Sequence, residues 1–394
     1  VEFGLLSQPR SGGDPFDPGD NAMRHHRRLR LERLEPRRVP VALPQGLEAV
    51  DLVVSGLTAP TAMAVAPDGR VFIAEQTGAI RVVEHGVLLP TPVTQLEVDA
   101  TGERGLVGLA VDPSFTANGF LYVFRTTPPG EGPTRNQVLR LTVTGQQADP
   151  AHTRVIFELP PVPTGRSNHN GGALGFGRDG RLYVGVGDQG TPAAAARLGV
   201  LRGKVLRLNP DGSIPRDNPF FARLRGAARA VYARGFRNPF TLAVDPGTGT
   251  ILVNDVGQDR WEEVNRLVRG GHYGWPRVEG PSRGLGLRGP IHAYRHLGQG
   301  GPEWQQGCGV VGGAFVPRRR GWPIGLEGGY LFSDLCRDQI RVLNPRTRQV
   351  RLLATGLAGA AVDLDFGADG SLYRLAREGE SGRLTQIRPT ESSE

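Results

Sequence analysis

One phrase returns six times after residue 46: a short apolar run, a turn rich in Asp, Pro and Gly, then an alternating strand. The cleanest copy reads Ala64-Val65-Ala66-Pro67-Asp68-Gly69-Arg70-Val71-Phe72-Ile73. Others pass through Asp112-Pro113 to Phe120-Leu121-Tyr122, through Asp179-Gly180 to Leu182-Tyr183-Val184, and through Asp245-Pro246-Gly247 to Ile251-Leu252-Val253. A further copy passes through Asp369-Gly370 to Leu372-Tyr373, and a degenerate one is Gly328-Gly329-Tyr330-Leu331-Phe332. Asp-Gly between alternating strands is a hairpin signal, with both turn positions expected at φ > 0. Six copies over about 345 residues give a unit near 58, longer than the 40 to 50 residues of a bare four-stranded blade. Such units bury both sheet faces by radial stacking, so the expected fold is all-β, a six-bladed β-propeller over 46–390. The surplus falls in loops 125–137, 188–204 and 277–307, expected on one face. Composition agrees: 57 Gly and 32 Pro in 394 residues exclude a helical bundle or coiled coil.

Residues 1–45 stand outside the repeat and read as a disordered basic segment. Arg24 to Arg38 holds seven arginines against Glu32 and Glu35, without the interleaved aromatics that stack on bases. The net charge of +8 comes almost wholly from arginine, Lys204 being the one lysine. Nucleic acid is therefore not an expected partner, and a solvated tail is. No apolar run reaches 18 residues, so no membrane-spanning helix is expected. No signal peptide is visible in 1–45. Cys308 and Cys336 are the only thiols. They suit a single disulfide in an oxidising compartment, with two unrelated buried thiols as the other reading. Closing a loop of about 29 residues contributes roughly 3 to 4 kcal/mol in the chain-entropy model.

Eight histidines are few enough to compare one by one. His25 and His26 lie in the tail, and His85 and His152 follow strands in polar turns. His292 and His296 lack the glutamate of a zincin pair. His169 differs, lying in Ser167-Asn168-His169-Asn170-Gly171-Gly172 directly before a repeat copy. There it can approach a ligand, or serve as an ordinary surface turn. No nucleophile elbow, phosphate loop or dinucleotide fingerprint is present.

Six phrases, in order along 50–375, make the chain resemble the glucose/sorbosone dehydrogenase family, soluble quinoproteins that use pyrroloquinoline quinone. They are 102–110 around Glu103-Arg104-Gly105, the Asn168-His169-Asn170 loop, Tyr183 through Gly187-Asp188, Gly235-Phe236-Arg237-Asn238-Pro239, Glu262-Glu263-Val264-Asn265, and Gly270-Gly271-His272-Tyr273-Gly274-Trp275. The family fold is a six-bladed propeller. The resemblance implies oxidation of the C1 hydroxyl of an aldose sugar or related alcohol, with hydride passing to the quinone and on to an external electron acceptor. His169 matches the general base, which an imidazole suits. Arg237 would sit where charge develops on the quinone oxygen. Glu103, Asn168 and Asn238 match cofactor-contacting positions. Gly257 and Gln258 would lend carbonyls to a Ca²⁺ that bridges the cofactor, and the Glu263 carboxylate and Tyr273 carbonyl would bind a second Ca²⁺. The family also implies a periplasmic or secreted protein.

The chain departs from the family's sugar oxidisers in the last blades. The run 358–363 before the last hairpin holds no arginine, and Arg318-Arg319-Arg320 is the basic cluster nearest to a missing lysine. Around Cys308 and Cys336 it is instead similar to a secreted sorbosone-dehydrogenase-like branch. Two functions stay open: a quinoprotein dehydrogenase, and a non-catalytic binding propeller or calcium-dependent hydrolase on the same fold.

Overall fold

The computed structural model describes residues 41–390 apart from Glu131, Ser282, Arg283, Leu285, Arg319 and Arg320. The basic run with His25 and His26 lies outside the described residues. Six antiparallel sheets form a six-bladed β-propeller, as the repeat predicts. The innermost strands, in chain order, are Pro60–Val65, Leu106–Val111, Gly171–Phe176, Pro239–Val244, Val310–Phe315 and Ala360–Phe366. Each is followed by a second strand: Val71–Glu75, Phe120–Thr126, Leu182–Val186, Ile251–Asp255, Tyr330–Asp334 and Leu372–Glu378. Second strands are the most buried, with Phe72, Tyr122, Val184, Leu252, Tyr330 and Leu375 removed from solvent between neighbouring sheets.

The Asp-Gly turns differ from the expected type. Only the glycine is left-handed, Gly69 at φ 90°, Gly180 at 67° and Gly370 at 84°. The aspartate instead caps the chain two residues on: Arg70, Arg181 and Ser371 each donate their N–H to Oδ1 of Asp68, Asp179 and Asp369. This is an Asx turn ahead of one αL residue. In two copies the other carboxylate oxygen accepts the tyrosine hydroxyl of the following strand, Tyr183 at 3.0 Å and Tyr373 at 3.2 Å. The recurring Asp-Gly-x-Leu-Tyr thus fixes turn and strand together.

Ring closure was not legible in the repeat. Leu47–Val53 pairs antiparallel with Ser381–Pro389, so the first strand is the outer edge of the last blade. Ala42, which the sequence reading put in the tail, exchanges two hydrogen bonds with Thr355. On the inner wall, Asp363 and Asp365 accept the N–H groups of Met63 and Val65, each at 2.9 Å, tying the last innermost strand to the first. Cys308 and Cys336 are joined in a disulfide, Cα to Cα 5.7 Å. No helix of the described residues is long and apolar enough to cross a membrane.

Every innermost strand shifts register against its second strand close to where it begins: at Pro60/Ala62, Leu106/Gly108, Gly171/Leu174, Pro239/Thr241, Val311/Ala314 and Ala361/Asp363. Such bulges re-aim side chains at a sheet end. Six of them in a ring turn one face of the propeller, opposite the Asp-Gly turns, into the place where loops converge.

Candidate active site

His169 leads into an innermost strand on that face. Its backbone is left-handed, φ 53°, a conformation that costs a non-glycine residue energy unless its surroundings hold it. Here they do. Its N–H donates to Glu103 Oε2 at 2.6 Å, and its carbonyl accepts from Gln189 N at 3.1 Å. Gly187 makes room for this loop, since a Cβ there would lie 1.9 Å from the His169 carbonyl oxygen.

The ring of His169 is oriented by Asp188, which is wholly buried. Nδ1 lies 2.8 Å from Asp188 Oδ1. That carboxylate also accepts Gly190 N–H at 2.8 Å on Oδ1 and Trp275 Nε1–H at 2.8 Å on Oδ2. Two obligate donors already point at Asp188, so it acts as an acceptor and His169 carries its hydrogen on Nδ1. The lone pair is then on Nε2, where Asn168 Nδ2 stands 3.3 Å away as a donor. A histidine held this way by a carboxylate can act as a base.

Arg237 and Asn238 lead into the next innermost strand, and Asp255 at the end of the second strand accepts both of their N–H groups. The Arg237 carbonyl accepts Asp188 N–H at 2.7 Å, which locks this loop to the His169 loop. Arg237 Nη1 donates to Val256 O, its guanidinium lies 5.9 Å from the Trp275 ring, and its buried Nε has no protein partner among the described residues. Asn238 Oδ1 accepts Gly171 N–H at 3.0 Å, leaving its amide nitrogen as the remaining donor.

Beside Arg237 a cavity of about 10 Å³ is lined by Asp255, Gly257, Glu263, Tyr273, Trp275 and Glu279. Burial pushes the Glu263 carboxyl up to about 7, and Asp255 is raised by burial and by the Glu263 charge. Asn265 donates to Glu263 Oε2 at 2.9 Å, while its own buried Oδ1 has no partner among the described residues. Among the described residues no hydrogen bond reaches the carbonyls of Gly257, Gln258 or Tyr273. These are hard oxygens short of donors, the chemistry that suits Ca²⁺.

Glu103, Asn168, His169, Arg237 and Asn238 are thus brought together, with Gly257, Glu263 and Tyr273 around the adjacent cavity and Gln258 on the exposed rim. Glu103 is spent on the His169 main chain. Arg318 is not part of the group: it pairs with Asp245 at 3.4 Å, among the turns of the opposite face, so it does not stand in for the family's lysine. Arg319 and Arg320 lie outside the described residues. Arg374 and Arg377 reach the converging face from the second strand of the last blade. Arg374 donates to the Ala358 and Gly359 carbonyls and Arg377 to Gln76 Oε1. Sequence reasoning missed Asp188, Asp255 and Trp275. Asp188 stands opposite His169 two residues beyond the Gly171↔Val186 pair, a register that the sequence does not write.

Residues 57–386 match the family Glucose / Sorbosone dehydrogenase. Quinoprotein glucose dehydrogenase B of Acinetobacter calcoaceticus is 33% identical over 255 residues, 58% of this chain and 52% of that protein, so the match spans about half of the relative's length. Aldose sugar dehydrogenase YliI of Escherichia coli is 27% identical over 359 residues, covering 86% of this chain and 92% of that protein. Human Hedgehog-interacting protein is 33% identical over 231 residues, 51% of this chain and 32% of that protein. The solved pyrroloquinoline-quinone-bound aldose sugar dehydrogenase of Streptomyces coelicolor shares the fold, with TM-score 0.71 and 23% identity over 88% of this chain and 99% of that one.

Proposed function

The chain belongs to the glucose/sorbosone dehydrogenase family of oxidoreductases, and from that membership we propose that it oxidises the C1 hydroxyl of aldose sugars or related alcohols, with pyrroloquinoline quinone and Ca²⁺ as cofactors. When bound, the quinone supplies an electrophilic carbonyl carbon that accepts the hydride leaving C1. The residues present fit such a group. The orphaned Arg237 Nε and the Asn238 amide offer donors to an anionic, oxygen-rich ligand, and the Gly257 and Gln258 carbonyls offer hard oxygens to its cation. Glu263 and the Tyr273 carbonyl, whose residues both line the adjacent cavity, make a second oxygen set.

His169 takes the hydroxyl proton at Nε2. The imidazolium so formed keeps its Nδ1–H on Asp188, whose charge stabilises it at 2.8 Å in a site with no exposed carboxylate surface. Trp275 and Gly190 hold that carboxylate still while the proton moves. Asn168 Nδ2 occupies the Nε2 lone pair at 3.3 Å and gives it up to the substrate hydroxyl. The buried His169–Asp188 pair is the observation that carries this reading.

A periplasmic or secreted site of action is part of the proposal, supported by the Cys308–Cys336 disulfide. The reading is tested by reconstituting apoprotein with the quinone and Ca²⁺ and screening aldoses against a dye as external acceptor. The second reading, a binding propeller, is favoured by the likeness to Hedgehog-interacting protein and by the run 358–363 without arginine. Quinone that binds and never turns over with any aldose would favour it.

A further inference from the structure

Each main-chain N–H from 257 to 261 ends on a carboxylate oxygen. Gly257 N–H points at Glu262 Oε2, 3.3 Å. Gln258, Asp259, Arg260 and Trp261 all donate to one atom, Glu279 Oε1, at 3.0, 3.1, 3.0 and 3.1 Å. Glu262 is itself held in place, buried at the start of the strand Trp261–Arg266 and bonded to Val310 N–H at 2.9 Å and His296 Nε2 at 2.7 Å. Glu279 comes from a different segment, four residues after Trp275. Two carboxylates from separate parts of the chain therefore shape one five-residue loop from the inside.

This has a consequence for the carbonyls. In a planar trans peptide the C=O of one residue and the N–H of the next point in opposite directions. The peptides here are trans, Trp275–Pro276 being the cis bond among the described residues. With Gln258 N–H aimed at Glu279, the Gly257 carbonyl must face away from it, and the Asp259 N–H does the same for the Gln258 carbonyl. Neither oxygen receives a hydrogen bond from any described residue. A carboxylate that gathers the donors leaves the acceptors turned outward. Gly257 allows the tight path, since a Cβ there would fall 1.7 Å from the Trp261 carbonyl oxygen.

We propose that Glu279 is a positioning residue that presents the Gly257 and Gln258 carbonyls as preorganised hard-oxygen ligands to a divalent cation of the Ca²⁺ class. The inference deepens the cofactor reading above and rests on it. Glu279 acts through the loop, its Oε1 being taken up by the four main-chain N–H groups.

The test uses the full chain as Glu279→Gln and Glu279→Ala. The first keeps one acceptor oxygen and the shape of the side chain, so it stands if the second fails to fold. Apoprotein is titrated with pyrroloquinoline quinone at a series of Ca²⁺ concentrations, following quinone absorbance, and amide hydrogen exchange is read over 258–261 without cofactor. The Ca²⁺ needed for half-maximal quinone binding should rise at least tenfold in Glu279→Gln, with exchange at 258–261 faster by a similar factor and exchange in the innermost strands unchanged. Wild-type exchange rates at 258–261 in Glu279→Gln overturn the positioning role whether or not any cofactor binds. Faster exchange with an unchanged Ca²⁺ requirement overturns the ligand role. Wild-type protein that binds no quinone at any Ca²⁺ concentration overturns the cofactor reading itself, and the ligand role with it.

Discussion

Asp188→Asn replaces one oxygen with a nitrogen and leaves the side chain's shape alone, yet the structure requires a large effect. Asp188 accepts three N–H groups, two on Oδ1 and one on Oδ2. Asparagine has one acceptor oxygen and an amide that can only donate. If the oxygen stays toward His169 and Gly190, the amide meets Trp275 Nε1–H at 2.8 Å, donor against donor. If it flips to serve Trp275, the amide faces His169 Nδ1, which must then become the acceptor, and the ring hydrogen moves to Nε2, the atom proposed to take the substrate proton. Either arrangement strands at least one buried donor, at about 1–3 kcal/mol of stability. The flipped one also removes the base in its working tautomer, for which a loss of roughly 10³–10⁴ in turnover, about 4–5.5 kcal/mol of barrier, is the scale seen when an orienting aspartate is amidated. Stopped-flow reduction of the reconstituted enzyme by an aldose reads the rate, and quinone absorbance reads binding, which should change little. An Asp188→Asn protein within tenfold of wild-type turnover refutes the orienting role.

Two further outcomes follow from groups around the ring. Burial raises the Asp363 carboxyl to about 7 and Asp365 to about 6. Folded-state values above the unfolded one mean stability is fully present below about pH 4 and falls as pH rises toward 7, by on the order of a few kcal/mol. The double variant Asp363→Asn/Asp365→Asn, whatever its absolute stability, should gain on wild type between pH 4 and pH 8 in denaturant titrations; a constant difference across that range contradicts the reasoning. Strong chelation should abolish dehydrogenase activity and lower the melting temperature, with both restored by Ca²⁺, since the oxygens proposed to hold it, those of Glu263 and Tyr273 among them, would lose their cation. Melting and activity that both ignore chelator and Ca²⁺ count against any cation there.

The propeller was legible because its signal is local and repeated: each copy carries its own turn and its own alternation. What failed locally was the turn type, because aspartate side chains cap the chain and remove the need for a second residue at φ > 0. Closure by Leu47–Val53 was not legible because its partner strand lies more than 300 residues away and pairing register is not written in either strand alone. The site shows the same division. His169 and Arg237 stand in distinctive phrases, which is why the sequence points to them. Asp188 stood in such a phrase too, but its role depends on the register between two strands. Glu279 lies on an irregular segment, and four converging N–H groups leave no trace in sequence. Arg318 misled because proximity to a motif in the chain says nothing of which face of a blade a turn occupies.

The central claim, that this propeller is a quinoprotein dehydrogenase with His169 as its base, is tested most directly by one single-turnover measurement. Wild type and His169→Gln are loaded with pyrroloquinoline quinone and Ca²⁺, mixed with excess aldose in the absence of an acceptor, and followed by the absorbance of the bound quinone. Wild type should reduce its cofactor in one fast phase, and His169→Gln, with quinone bound equally well, should be slower by about 10²–10⁴. Equal rates in the two proteins, or a wild-type cofactor that no aldose reduces, would contradict it.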